Sequence, residues 1–239
     1  LVGLGDVYKR QGMTNAQVGT VEDIVAGQIN TFSGSDLNKP PSPEKADTTT
    51  FGVVWTPSFG GAITRSVFSA DFYDINIKKV IGTFGAQEVL DQCYISGIAD
   101  SCSRIVRVGG TLTLPGSGIQ LYTTNLDYLR AKGVEFAGTL GFSLGNIGNL
   151  TLQANINNYL TKESQSSSFA KVIDCKGYYG TQCGNPLPKI RWTQRTSWDK
   201  GPFGASLLWR HLGSTNVEQP QVSSTFAQFQ TIKSYDYLD

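Results

Sequence analysis

Apolar and polar side chains alternate almost without a break between residues 134 and 160. A two-residue period is typical of a β-strand whose faces meet different environments, and the turn sequence GNIGN at 145–149 divides the segment into two strands. No charged residue occurs from Phe136 to Leu160. Because a soluble sheet usually sets Lys, Glu and Asp against water, neither face of these strands looks like an ordinary solvated surface.

The two faces of this strand pair differ in polarity. The apolar band covers about ten residues of each strand, and a tilted strand needs about 9–11 residues to cross a bilayer. The apolar face carries Val134, Phe136, Leu140, Phe142, Leu144, Leu150, Leu152, Ala154, Ile156 and Leu160. The opposite face carries Glu135, Ala137, Thr139, Gly141, Ser143, Thr151, Gln153, Asn155, Asn157 and Tyr159. One face towards lipid and one towards a watery lumen are typical of a transmembrane β-barrel.

The same reasoning predicts an all-β chain of about seven antiparallel strands. The predicted strands cover roughly residues 48–55, 62–81, 119–144, 150–161, 189–198 and 203–212, and a last strand begins near Thr231. We expect a break near Asn125 in the third of these strands. The segment GAQEVLDQCY at 85–94 has helical spacing for one or two turns.

The connections between the predicted strands alternate in length. Short turns are predicted at 57–61, 145–149 and 199–202, and long connections at 12–45, 82–119, 162–187 and 213–228. In an up-and-down sheet, alternate connections lie at the same end, so all short turns share one end and all long loops the other. Outer-membrane barrels have this arrangement, with periplasmic turns and extracellular loops. A soluble Greek-key sandwich has no reason to sort its loops in this way.

Composition and cysteine spacing favour an exported protein. Charged residues make up 16% of the chain, against about 25% in average soluble domains, and a net charge of +1 gives no support for a nucleic-acid partner. The four cysteines form two local pairs, Cys93 with Cys102 and Cys175 with Cys183. Neither pair has the ligand spacing of a zinc site. Two disulfides that each close a short loop are therefore predicted, which implies an oxidising compartment.

Polar residues on the hydrophilic face are candidates for lining the barrel lumen. These candidates are Glu135, Thr139, Gln153, Asn155, Asn157, Arg191, Arg195 and Arg210. They either line a solute path, contact an internal domain, or only keep a wide barrel wet inside, and the sequence leaves these alternatives open.

Four aromatic residues are predicted at the membrane interfaces. Trp55 and Trp198 lie beside short turns, whereas Trp192 and Tyr128 lie towards the long-loop end of their strands. Transmembrane barrels place aromatic girdles at both interfaces. The general preference of aromatic residues for strands is the alternative explanation.

Catalytic chemistry is not indicated. Asp71 and Asp74 are three residues apart on one strand, so they lie on opposite faces and cannot flank a glycosidic bond together. Strand parity turns His211 to the apolar face beside Leu207 and Trp209. We predict no enzymatic activity, no cofactor and no metal site.

The first residues differ from the rest of the chain. LVGLGDVYKRQ at 1–11 has neither the charged start, the apolar core nor the cleavage site of a secretion signal. We expect residues 1–11 to be non-native and residues 12–239 to form the barrel portion.

Several segments resemble one known family, in the expected order. LNKPPSPEKADTTTFGVVWTP at 37–57 is similar to the stretch that opens a late barrel strand in TonB-dependent outer-membrane receptors, with a Pro-Pro where Asn-Pro is usual. FSADFYDINIKKVIGTFGAQEVLDQCY at 68–94 resembles the strand and loop that follow it in a proteobacterial branch. NLDYLRAKGVEFAGTL at 125–140 resembles a further barrel strand of the family, and SYDYLD at 234–239 the start of a strand near the C-terminal end.

This resemblance implies a plugged, 22-stranded barrel of the bacterial outer membrane. The expected function is energy-coupled import of a scarce ligand, such as an iron chelate, cobalamin or a saccharide. The implied partners are outer-membrane lipid, the imported ligand, and the TonB complex, which is contacted through an N-terminal part outside this sequence. The alternatives are a passive porin-like channel and, less favoured, a secreted β-sandwich binding protein.

Overall fold

The computed structural model describes residues 14, 29–168, 170–219, 222 and 225–239, so the segment expected to be non-native, 1–11, lies outside the described residues. The strands are β1 (Thr31–Ser35), β2 (Lys45–Trp55), β3 (Ile63–Lys78), β4 (Ile81–Gly82), β5 (Ile105–Val106), β6 (Gly118–Asn125), β7 (Tyr128–Ser143), β8 (Asn149–Gln165), β9 (Ile173–Asp174), β10 (Tyr178–Tyr179), β11 (Ile190–Lys200), β12 (Phe203–Leu212), β13 (Thr215–Val217), β14 (Thr231–Ile232) and β15 (Tyr235–Leu238). The helices are α1 (Ala86–Tyr94) and α2 (Ala99–Ser103), and single 3₁₀ turns cover Gly145–Ile147 and Ala227–Phe229.

The largest sheet, called the main sheet, is an antiparallel meander. Its strands lie in the spatial order β2, β3, β7, β8, β11, β12 and β15, which is also their order in the chain, and β9 pairs with β8. A Greek-key sandwich instead places a strand beside one distant in sequence. The predicted up-and-down, all-β architecture is therefore confirmed.

The chain forms two compact units, and one of them contains the main sheet. This unit consists of residues 46–77, 129–164 and 172–239. It also contains a small three-stranded sheet, which we call the loop platform. In the loop platform, β13 pairs in parallel with β10 and antiparallel with β14. The platform thus joins two long connections that were predicted as separate loops, 162–187 and 213–228.

The second unit is a loop subdomain, whose described residues are 14, 29–45, 78–128, 165–168 and 170–171. In its described part, β6 pairs with β1 in parallel and with β4 and β5 antiparallel. Helices α1 and α2 cover a small apolar core, whose buried members are Val89, Cys93, Cys102, Ile105, Leu112 and Ile119. The connection predicted at 82–119 is therefore largely a folded structure with its own core, and the predicted helix over 85–94 is present as α1.

Several strand limits differ from the sequence prediction. The break expected near Asn125 in the strand predicted over 119–144 is confirmed, and its two parts, β6 and β7, belong to different sheets, which was not predicted. The Asn125 amide explains the break: its nitrogen donates to the carbonyls of Ser42 and Lys79 at 2.8 and 2.7 Å, and these bonds hold the chain in the loop subdomain. The last strand was predicted from Thr231, but Thr231–Ile232 pairs with β13, and the main sheet is joined by Tyr235–Leu238.

Candidate functional site

The hydrophilic residues of the main sheet form one continuous polar face. Strand register places Arg191 opposite Asn157 and Arg195 opposite Gln153 on β8. The same register places Asn155 opposite Thr193, which lies opposite Arg210 on β12. The remaining candidates, Glu135 and Thr139, are four residues apart on β7 and therefore lie on the same face of that strand, because side chains alternate between the two faces.

Hydrogen bonds connect this polar face across three strands. The Asn157 amide nitrogen donates to the Glu135 carboxylate at 2.7 Å and to the Tyr73 hydroxyl at 3.3 Å. On the neighbouring strand, the Arg191 guanidinium lies 5.9 Å from the centre of the Tyr159 ring, a cation–π distance. These contacts fix the polar side chains next to one another, and their position in a lumen stays a prediction.

Charge is separated along the polar face. Asp71 on β3 and Glu135 on β7 supply the negative groups, and Arg191 on β11 and Arg210 on β12 supply the positive ones. All four line a recess of about 330 Å³ in the main sheet. Arg210 also forms an ion pair with Asp239. The recess could therefore contact a ligand or a protein segment with complementary polar groups.

The opposite, apolar face carries the predicted interface tryptophans. The ring centres of Trp55 and Phe68 are 5.7 Å apart. The Trp198 indole nitrogen donates to the Ile147 carbonyl at 2.9 Å. Trp192 stacks on His211 at 5.2 Å and meets Trp209 edge-on at 4.9 Å. Tyr128, the fourth candidate, is the first residue of β7, and the interface assignment of all four remains a prediction.

Asp236 completes the cluster around His211, and sequence reasoning missed it. One carboxylate oxygen of Asp236 lies 2.9 Å from His211 Nδ1 and accepts a hydrogen bond from the Trp209 indole at 2.9 Å. Only the register of β12 with β15, which pairs His211 with Asp236, brings these residues together. The carboxylate fixes His211 beside Trp192 on the apolar face.

Three further charged residues on this apolar face, Asp74, Arg130 and Lys132, lie towards the long-loop ends of β3 and β7. Arg130 near the start of β7 donates to Asp74 near the end of β3 at 2.9 Å. The Lys132 ammonium lies 5.4 Å from the centre of the Phe72 ring. β3, β7 and β8 have 16, 16 and 17 residues, more than the roughly 9–11 that cross a bilayer.

Both predicted disulfides are present. Cys93–Cys102 lies in the core of the loop subdomain, with the two residues 0% and 3% exposed. Cys175–Cys183 closes the turn that contains β10 in the loop platform, and Cys183 is only partly buried. The two bridges therefore stabilise two separate loop structures and differ in their access to solvent.

Glu218 in the loop platform is a further feature that sequence reasoning missed. Its side chain is almost fully buried, at 3% exposure. The carboxylate accepts hydrogen bonds from the Thr181 hydroxyl at 3.1 Å and from the backbone N–H groups of Gln182 and Cys183 at 3.0 and 2.9 Å. A glutamate in a polar connection normally faces water, so no sequence signal marks this residue.

An ionic cluster lies on the surface of the loop subdomain. Asp100 on α2 accepts hydrogen bonds from Lys39 at 2.7 Å and from Arg104 at 3.0 Å. The hydrogen bond from Lys39 is the main cause that lowers the pKa of Asp100 below its ordinary 3.8, and Arg104 acts in the same direction against partial burial. Because the folded-state pKa is lowered, the stabilisation is present above about pH 3.8 and is lost as the pH falls through the folded-state pKa.

Replacing Asp100 by Asn is therefore expected to weaken the loop subdomain at neutral pH and to have no effect in strong acid. The expected increase in amide hydrogen exchange of α2 is about two- to fivefold near pH 7, as for exposed ion pairs. Comparing both proteins near pH 7 and near pH 2 checks the sign. An equal effect at both pH values would show that Asp100 acts through packing and not through its charge.

In the described part of the chain, no helix is long and apolar enough to cross a bilayer. Within the same residues, no group of three or more His, Cys, Asp or Glu side chains is placed to hold a metal ion.

Comparisons with known proteins identify the family. A family model described as "TonB dependent receptor-like, beta-barrel" matches residues 4–239, whereas a comparison with curated proteins finds no match. A mutant of the ferric enterobactin receptor PfeA of Pseudomonas aeruginosa is similar in structure, with a TM-score of 0.44, 11% identity, and coverage of 81% of this chain and 22% of the receptor. The siderophore receptor PirA of Acinetobacter baumannii gives a TM-score of 0.43, 15% identity, and coverage of 83% and 25%.

The chain thus spans about a quarter of the length of these solved receptors. The family match extends over nearly all of the sequence, and the main sheet has the antiparallel meander that a barrel wall requires. The chain belongs to the TonB-dependent receptors, which are β-barrel proteins of the bacterial outer membrane, and it contributes part of the barrel.

Proposed function

We propose that this chain is part of the barrel of an energy-coupled importer, which takes up a scarce ligand across the outer membrane. The observation that carries the proposal is the match of residues 4–239 to the barrel of TonB-dependent receptors. An iron chelate, cobalamin and a saccharide are the ligand classes to test. The partners in this proposal are outer-membrane lipid and, through a part of the receptor outside this sequence, the TonB complex.

The proposed orientation places the short turns in the periplasm and the long connections outside the cell. The length of β3, β7 and β8 supports it, because about ten residues next to the short turns suffice to cross the membrane and the remainder extends beyond the lipid. In this orientation, the Arg130–Asp74 ion pair lies above the hydrocarbon, where charge on the apolar face costs little. The loop subdomain and the loop platform are then both extracellular.

The polar face is proposed to line the lumen. Its separated charges, Asp71 and Glu135 on one side and Arg191 and Arg210 on the other, supply donors and acceptors for a polar ligand or for an internal domain. No catalytic role is proposed for these residues or for His211, whose ring is engaged by Trp192 and Asp236.

Uptake measurements on cells with and without this receptor test the proposal. Radiolabelled ferric chelates, cobalamin and oligosaccharides are supplied in turn, and each uptake is repeated in a strain that lacks TonB. We expect uptake of one ligand class to require both the receptor and TonB. Receptor-dependent uptake that persists without TonB would contradict the proposal and favour the passive porin-like channel.

A further inference from the structure

Glu218 is a buried carboxylate that lies between two loops of the platform. Its three donors, Thr181, Gln182 and Cys183, all belong to the connection that contains β10, whereas Glu218 itself follows β13 in the next long connection. Among the described residues, no Lys or Arg forms an ion pair with it. A buried charge without a cation is stabilised only by such charge-assisted hydrogen bonds.

Backbone pairing between the two connections is short. β10 and β13 share a register of two residue pairs, Tyr178 with Asn216 and Tyr179 with Val217. Two backbone hydrogen bonds join them, from the Asn216 N–H to the Gly177 carbonyl at 2.8 Å and from the Glu218 N–H to the Tyr179 carbonyl at 2.9 Å. A parallel ladder of this length cannot hold two loops together without help, since isolated short strand pairs are marginal in water.

The disulfide and the carboxylate act on the same turn. Cys175–Cys183 joins the two ends of the segment that contains β10, and the Cys183 N–H donates to Glu218 at 2.9 Å. The bridge thereby presents the N–H groups of residues 182 and 183 in the orientation that the carboxylate needs. On its other side, β13 holds β14, because the Val217 N–H donates to the Gln230 carbonyl at 2.8 Å.

We propose that Glu218 is a positioning residue that fixes the turn around β10, residues 175–187, and the described residues 215–218 and 230–232 to each other as one rigid surface. Loss of the carboxylate separates the turn at 181–183 from β13 and increases the motion of both connections. If the receptor binds a ligand as proposed above, both connections present their side chains to that ligand together. This consequence rests on the proposed function.

The experiment compares two substitutions in the full-length receptor that contains this sequence. Glu218→Gln keeps the size of the side chain, but it places an amide where only acceptors fit the N–H groups. Thr215→Val is the matched control, since Thr215 is 1% exposed and its hydroxyl oxygen has no hydrogen-bond partner among the described residues. Amide hydrogen exchange is measured on peptides that cover residues 176–184 and 226–232.

Glu218→Gln is expected to increase exchange in both peptides by about ten- to a hundredfold, the range for hydrogen bonds to a charged group. Thr215→Val is expected to leave both peptides within about threefold of the wild type, since an isosteric change of an unpaired hydroxyl is nearly neutral. Unchanged exchange at 176–184 in Glu218→Gln, or an equal increase in Thr215→Val, overturns the proposal. If Glu218→Gln does not assemble, Glu218→Asp replaces it, and a smaller increase at the same peptides is expected.

Uptake assays separate the two proposals. If the wild-type receptor imports no ligand in a TonB-dependent manner, the proposed function fails, while the exchange result still decides the role of Glu218. If Glu218→Gln leaves exchange unchanged in a receptor that imports normally, the role of Glu218 fails and the proposed function stands.

Discussion

An arginine at position 140 is expected to prevent stable assembly of the barrel, whereas an arginine at position 139 is expected to be tolerated. Thr139 and Leu140 are neighbours on β7, four and three residues before its end at Ser143. Counting about ten membrane-crossing residues from that end places both near the middle of the bilayer. They differ in the face of the strand on which they lie.

The expected difference follows from the cost of charge in lipid. Leu140 shares the apolar face with Phe68 and Leu152, so Leu140→Arg would place a guanidinium in hydrocarbon at a cost of about 2–4 kcal/mol. Thr139 lies on the face of Glu135, which in the proposed orientation faces the lumen, so that water and polar groups would solvate an arginine. Outer-membrane levels and heat-modifiable gel migration of the full-length receptor measure assembly, and urea titration in vesicles measures stability. Equal damage by both substitutions would contradict the proposed orientation of the main sheet.

Strand parity made the main sheet predictable from the sequence. Each of its longer strands has one apolar and one polar face, as Trp192 and Arg191 show on β11. Consecutive residues of the sequence alternate between these two faces. Face assignment therefore required no knowledge of the partner strands. The contact of Asn157 with Glu135 also needs the register between β7 and β8, which alternation does not specify.

The loop structures could not be predicted because their strands depend on tertiary contacts. β1, with the sequence TFSGS, has no apolar period, and it is a strand because its backbone pairs with β6. β8 extends to Gln165, beyond the predicted end near Thr161, where β9 pairs with it at Glu163 and Ser164. In both cases the pairing partner is distant or irregular, and propensity alone carries no information about it.

Removal of the Cys93–Cys102 bridge is expected to destabilise the loop subdomain strongly while the barrel stays assembled. Loop closure over the sequence separation of 9 contributes about 2–3 kcal/mol. The apolar core has only six buried members among the described residues, so this contribution is a large part of the stability that so small a core supplies. The Cys93→Ala/Cys102→Ala variant also leaves part of the core unfilled.

Hydrogen exchange of α1 and β6 in the full-length receptor measures this effect. The bridge's contribution corresponds to an increase on the order of a hundredfold, with heat-modifiable migration unchanged as the control for barrel assembly. Cys175→Ala/Cys183→Ala is the matched variant, and it is expected to leave the exchange of α1 unchanged, because that bridge lies in the other unit. Increased exchange of α1 in both variants would contradict the independence of the two loop structures.

The order in which the bridges are reduced provides a second readout of the same packing. A reductant reaches a disulfide through solvent, and Cys93 and Cys102 are 0% and 3% exposed, whereas Cys183 is partly accessible. Dithiothreitol under native conditions is therefore expected to reduce Cys175–Cys183 first, and Cys93–Cys102 only when the loop subdomain opens. Alkylation of the released thiols followed by mass spectrometry gives the order. Earlier alkylation of Cys93 would show that the core around α1 opens more readily than its burial indicates.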